Sequence, residues 1–330
     1  MAKRKAHEGL PKPESISIQK AQLLQWLQTV DNDAAAKERV LKLENDFRQR
    51  IGTHLEGLPT SRTKFSKFNT NPFVLMIHSR NKGYERISEI ENDILPAKVF
   101  SSMETSAGKM VEKVVLPVYG WEVEAVESEM HSPDSVLDGK KKSGNVLCLA
   151  TLKSGPRCLN DEMSKDIAED ILANCEHWAN EYHVKEIDFT YGVLYGTKRQ
   201  SNKKDWHILR NIEEKLTGGA MLERPADRWS CKFKKSGITV RVTIRIGMEL
   251  WNYIGETDLM FTELAASIIR ACIAPSNTDP ADYQYQISDL PAIISTESIP
   301  PNFNVALLQR SQWEWLFFFA RHFCDELTEG

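Results

Sequence analysis

Two apolar runs bracket a helical segment between residues 145 and 196, and no other stretch restricts the fold as much. Val146, Leu147, Cys148, Leu149, Ala150 and Leu152 form the first run, broken only by Thr151 and stopped at Lys153. A turn, "SGPRCLNDE", leads to Met163, Ile167, Ile171, Cys175 and Trp178 at helical spacing, behind an N-cap at Asn160 or Asp161. The second run is "EIDFTYGVLYG", Glu186 to Gly196. Strand, helix and strand in such short order predict a mixed α/β sheet. A further strand is predicted at 238–246, "ITVRVTIRI". Its apolar residues alternate with Thr239, Arg241, Thr243 and Arg245, the period of a half-buried strand.

Helices frame this core. Two are expected between Ile16 and Ile51, the second capped near Asn32 or Asp33. "SRTKFSKFNTNPF" reads as a polar turn. One helix is expected near 85–95 and another over "METSAGKMVEKVVLPVYG", where Met110, Val111, Val114 and Val115 oppose Lys109, Glu112 and Lys113 and Pro117 stops the run. "MELWNYIG" is a short helix and "SQWEWLFFFARHFCDEL" a strongly apolar one that needs cover. The organisation expected is a basic flexible tail at 1–15, a helical region at 16–70, a core at 71–273, and an irregular insertion with a final helix at 274–330.

Net charge is −4 and the pI about 6.1, so the chain as a whole is not a basic nucleic-acid binder, and such a role must come from local patches. Lys140 to Lys142, Lys198 to Lys204 and Arg228 to Lys235 are such patches. Each is, by default, a solvated loop. The six cysteines show no CxxC or zinc-finger spacing and fit reduced, buried thiols of a cytoplasmic protein. No apolar run approaches the 18 residues of a membrane span.

Lys153 raises the sharpest question. A strand that delivers an ammonium group to a buried end needs negative company or an exit to solvent. Asp134 and Asp138 lie upstream, flanking Ser135-Val136-Leu137. If 134–138 is a strand joined to 145–153 by "GKKKSG", Asp138 sits at the turn and Asp134 nearer Lys153. That geometry prefers Asp134 as the partner, with Asp138 as its rival. A carboxylate there, with the Leu152 carbonyl, suits a hard divalent cation. By spacing alone the same residues are more commonly a surface ion pair.

Pro133-Asp134 with Thr151-Leu152-Lys153 resembles the PD-(D/E)XK nuclease motif. A wider set is more specific: "NPF" at 71–73, "ETSAGKMVEKVVLPVYG" at 104–120, "LCLATLKSG" at 147–155, "GVLYG" and "WHILRNI" within 192–212, and "GMELWNYIGE" at 247–256. In this order they resemble the type II restriction endonucleases whose best-known member cuts RGGNCCY, over about residues 70–256. The resemblance implies a restriction-endonuclease-like core, a central mixed sheet flanked by helices, with further helices at both ends. It implies Mg²⁺-dependent cutting of double-stranded DNA at a GG/CC-containing palindrome by a homodimer. It implies Asp134 as metal ligand and Lys153 as motif lysine. Thr151 departs from the motif, which has Glu or Asp there. A carboxylate from a neighbouring helix is then needed: Glu112, with Glu104 behind it. In this reading Arg199, Gln200 and Asn202 read bases, with Lys198, Lys203 and Arg157 on phosphate.

Overall fold

The computed structural model describes residues 9–64, 71–123, 132–216, 229–277 and 284–329. Lys3, Arg4 and Lys5 of the tail, and Arg228, lie outside them. A short strand, β1 (Ser17–Gln19), runs into α1 (Lys20–Asn32). Asp33 then caps α2 (Ala34–Glu56) by accepting from the Ala35 and Ala36 amides. Asn71 does the same for α3 (Pro72–Lys82), accepting from the Phe73 amide; this helix begins where the expected polar turn ends and was not itself expected. Here Pro72 at the first position and Gly83 in the left-handed C-cap conformation were the overlooked signals. After a 3₁₀ turn at Ile87–Ile90 comes α4 (Glu91–Val118). The two helices expected near 85–95 and 103–117 are thus one. Pro96 lies just past the first turn and the helix continues through it without the amide bond a proline lacks, while Pro117 falls in the last turn.

A second 3₁₀ turn, Pro133–Val136, precedes the sheet strands β2 (Gly139–Ser143) and β3 (Val146–Lys153). Then follow α5 (Asp161–Glu181), β4 (Glu186–Val193), α6 (Lys204–Lys215), β5 (Ser230–Lys235) and β6 (Ile238–Ile246). The five strands lie in the order β2-β3-β4-β6-β5. The central three are parallel and both edges antiparallel. This is the expected mixed sheet. The basic patch at 230–235 turns out to be the edge strand β5, whose Cys231 and Phe233 point inward.

The chain closes with α7 (Met248–Gly255), α8 (Met260–Cys272), α9 (Leu290–Ile294), α10 (Arg310–Arg321) and β7 (Glu326–Thr328), which pairs in parallel with β1. The helix α8 was not expected from the sequence, and α9 interrupts a stretch read as irregular. Two apolar cores sandwich the sheet. One gathers α5 and α6 against Leu147, Leu149, Phe189 and the inward side chains of β6. The other gathers α1, α2, α7, α8, α10 and the end of α4 against Ala150 and Leu152. The terminal helices are therefore intramolecular core. At the centre of the second core, buried Glu263 accepts from Arg39 at 2.6 and 2.8 Å and from the Tyr119 hydroxyl at 2.5 Å, tying α2, α4 and α8 together. Cys158 and Cys272 are exposed, against the expectation of buried thiols; Cys175, Cys231 and Cys324 are buried.

Candidate active site

The apolar run of β3 is buried because parallel strands cover it on one side and two helical layers cover its faces. Its C-terminal end emerges at half-buried Lys153 and exposed Ser154. The hairpin before it decides which acid meets this end. Gly144, at positive φ, makes a tight turn directly between β2 and β3, so Gly139 pairs with Ala150. Asp138 therefore lies opposite the far end of β3, not at the turn. Its amide donates to the Ala150 carbonyl at 2.8 Å, and its Oδ2 accepts from the Leu152 amide at 2.6 Å. The expected strand at 134–138 is absent, and with it the geometry that favoured Asp134. That residue sits in the 3₁₀ turn, accepting from Lys140 Nζ at 2.8 Å and Trp178 Nε1 at 2.9 Å.

The helix α4 supplies the second carboxylate. A Cβ on Gly108 would lie 3.4 Å from the Ser154 Cβ, so α4 passes close against the chain just beyond Lys153. Glu112 follows one helical turn later. Burial, then the charge of Asp138, pushes the Glu112 carboxyl up to about 8, against the opposing pull of Lys153, Lys109 and Lys113. Burial also raises Asp138, although the Leu152 amide, Lys153 and Lys109 favour its ionised form. Two acids and a lysine thus share one half-buried place. Lys109 belongs to it as well; the sequence reading set it on the polar side of α4, and its spacing of three from Glu112 was the available signal.

These groups are hard-oxygen donors with a cation at their side. Two neighbouring carboxylates, of which Asp138 holds back the ionisation of Glu112, and a carbonyl at Leu152 suit a divalent ion such as Mg²⁺. Among the described residues no group of three or more His, Cys, Asp or Glu is gathered for a metal. Thr151 does not join the two acids. The residue is buried, and its Oγ1 donates to the Val136 carbonyl at 2.5 Å, anchoring the 3₁₀ turn to β3. Glu104, two turns before Glu112, lines an apolar cavity with Phe318 and Tyr195 that reaches Gly108 and Ser154.

The loop 197–203 is built largely from its own polar groups. Lys203, at positive φ, donates from Nζ to the carbonyls of Lys198, Arg199 and Ser201. Asn202 donates to the Leu159 carbonyl and accepts from the Lys204 amide. Gln200 Oε1 accepts from the Thr197 amide, and Lys198 pairs with Glu249. Arg199 reaches Ser15, and Arg157 donates from Nε to the Gln200 carbonyl; both guanidinium groups are largely exposed. On β6, Arg245 is held inside by Thr190, Asp188 and the face of Tyr253, whereas Arg241 is exposed.

A model of the family Type II restriction endonuclease EcoO109I matches residues 41–217, more than half of the 330-residue chain. The chain belongs to this family of type II restriction endonucleases. The match spans α4, β2, β3, β4 and α6, and so includes Glu112, Asp138 and Lys153. No curated protein matches the chain. In this restriction endonuclease no helix among the described residues is long and apolar enough to cross a membrane.

Proposed function

We propose that the protein cuts both strands of duplex DNA at a specific sequence by phosphodiester hydrolysis, with Mg²⁺ as cofactor. One observation carries the reading: Glu112, Asp138 and Lys153 converge at the end of β3, where burial and the charge of Asp138 keep Glu112 largely protonated near neutral pH despite the lysines, as long as no metal ion is bound. Glu112, Asp138 and the Leu152 carbonyl would hold Mg²⁺, and Asp138 takes the role that the motif match gave to Asp134. When bound, the ion supplies Lewis-acid stabilisation of charge on the scissile phosphate and the leaving 3′ oxygen. Lys153 orients the attacking water and offsets the charge that develops on the phosphoryl oxygens. Arg157 and Arg199, exposed near the same end of the sheet, supply phosphate or base contacts. The internally bonded Lys203 and Asn202 shape the loop that presents them. A palindromic site implies a homodimer, which brings one such centre to each strand.

The direct test is plasmid incubated with protein and Mg²⁺. Discrete fragments are expected, and Lys153→Ala should lower the cutting rate by about 100-fold or more while a gel shift with Ca²⁺ stays within a few fold. An intact plasmid beside a normal gel shift would make the protein a DNA binder that does not cut. Cutting by Lys153→Ala at the wild-type rate would remove the site assignment.

A further inference from the structure

Every long helix of the second core buries an apolar stripe except in one region. Of the eleven residues of α3, none is buried. From Phe73 to Met103 only Ile90 is buried, although the segment is rich in large apolar side chains. Phe73 is 77% exposed, Met76 70%, Ile77 71%, Ile87 82% and Phe100 71%; Val74 and Met103 are also open. A helix this short does not hold its shape in water by propensity alone. Here it is pinned. Asp93 on α4 accepts from the Tyr84 hydroxyl at 2.5 Å and meets His78 Nε2 at 2.7 Å, fixing α3 on the first half of α4. Between the two helices runs a groove of about 350 Å³ lined by Val74, Leu75, Ile90, Ile94 and Ala97.

We infer that this arm, residues 71–103, is the surface on which a second copy of the chain docks. Area decides for a protein of this kind. At about 200 Å² for a fully exposed large apolar residue, the seven open side chains present on the order of 900 Å². A stable interface needs roughly 800 Å² per partner, and the largest apolar patch of a typical monomer is about 300–600 Å². Form decides for a second copy. The arm carries both a ridge (Phe73, Met76, Ile77) and a groove, which is what a twofold contact of like with like requires. The terminal helices α1 and α10 turn their main apolar faces into the core, α10 leaving Trp315 and Phe318 partly open. The choice of occupant rests on the reading of the chain as a cutter of twofold sites; the existence of the patch does not.

The test is sedimentation of the full chain without DNA or Mg²⁺, so that it is blind to whether the protein cuts. The wild type should sediment at about 75 kDa, twice 37.6 kDa, at micromolar concentration. The double variant Met76→Glu/Ile77→Glu should raise the dimer dissociation constant by about 100-fold or more and sediment as a monomer with an unchanged circular dichroism spectrum, because both positions are exposed. Phe100→Glu, on the other helix of the arm, should weaken the dimer in the same direction. Phe318→Glu on α10, exposed but off the arm, should leave it intact. A monomeric wild type, a dimer that survives both arm variants, or a dimer broken by Phe318→Glu would each overturn the assignment.

Discussion

Asp134 and Asp138 carry the same group four residues apart, and their surroundings separate them completely. Asp134 neutralises a Lys140 side chain only 10% exposed and also holds Trp178. Asp134→Asn should therefore cost about 3 kcal/mol in urea unfolding and leave cutting within a few fold at a permissive temperature. Asp138→Asn should do the reverse: cutting falls by about 100-fold or more, while stability holds or rises because the repulsion on Glu112 is gone. Glu112 adds a pH signature. Its folded carboxyl sits at about 8 against an ordinary 4.5, so the folded state keeps a proton that the unfolded chain has already released. Stability without metal should then fall as pH rises from about 4.5 to 8 and level off above it. Melting temperatures taken in EDTA across that range should show the slope; Glu112→Gln should flatten it, and Mg²⁺ should raise the curve most at its alkaline end. Lys153 was legible in the sequence as a charge at a strand end, and Glu112 only through the resemblance, as an acid on a helix near a motif with no acid of its own. Asp138 was legible only as a rival to Asp134, because its position depends on a one-glycine turn that shifts the whole hairpin register.

Among elements, those with a clear period were read correctly: β3, β4, β6, α5 and α7. The ones missed had their pattern masked by composition. The lysines of β5 hid an edge strand whose outward face is basic, and the exposed apolar face of α3 gave no amphipathic stripe. α8 buries residues of nearly every type, from Thr262 and Glu263 to Ala266, so no polar face marks it. How the strands are joined was equally hidden, and two glycines show it. Gly247 links β6 to α7 at φ +62°, and a Cβ there would stand 2.3 Å from the Gly196 carbonyl oxygen. The neighbour is backbone at the head of the 197–203 loop, so it has nowhere to go. Gly247→Ala should cost about 3 kcal/mol in urea unfolding and weaken DNA binding through the displaced loop. Gly237, at φ +78° in the β5–β6 turn, has nothing within 4 Å. Its alanine variant should lose only about 1 kcal/mol, with binding unaffected. Equal losses at the two sites would mean that backbone conformation alone, not the approach to Gly196, sets the cost.

At the scale of the whole molecule, the described residues hold one cluster of Glu112, Asp138 and Lys153, and in the proposed reading one cluster serves one strand. Concerted cutting of a duplex then requires two chains held together for longer than one turnover. The arm at 71–103 leaves the core where α4 does, and α4 also carries Glu112, so docking surface and carboxylate share a single 28-residue helix. A dimer formed through the arm would therefore fix both the distance between the two centres and the orientation of each Glu112. Met76→Glu/Ile77→Glu should uncouple these effects. The isolated chain keeps its acids and lysine, yet meets DNA one strand at a time. On supercoiled plasmid at nanomolar protein, the wild type should pass directly to linear product. The variant should accumulate open circles first, with linear form following slowly, and raising the protein concentration toward micromolar should restore direct linearisation. If the variant linearises plasmid without an open-circle stage at every concentration, the two strands are cut by chains joined elsewhere. If it makes neither product while folding normally, the arm acts on the centre through α4 and not merely by bringing two centres together.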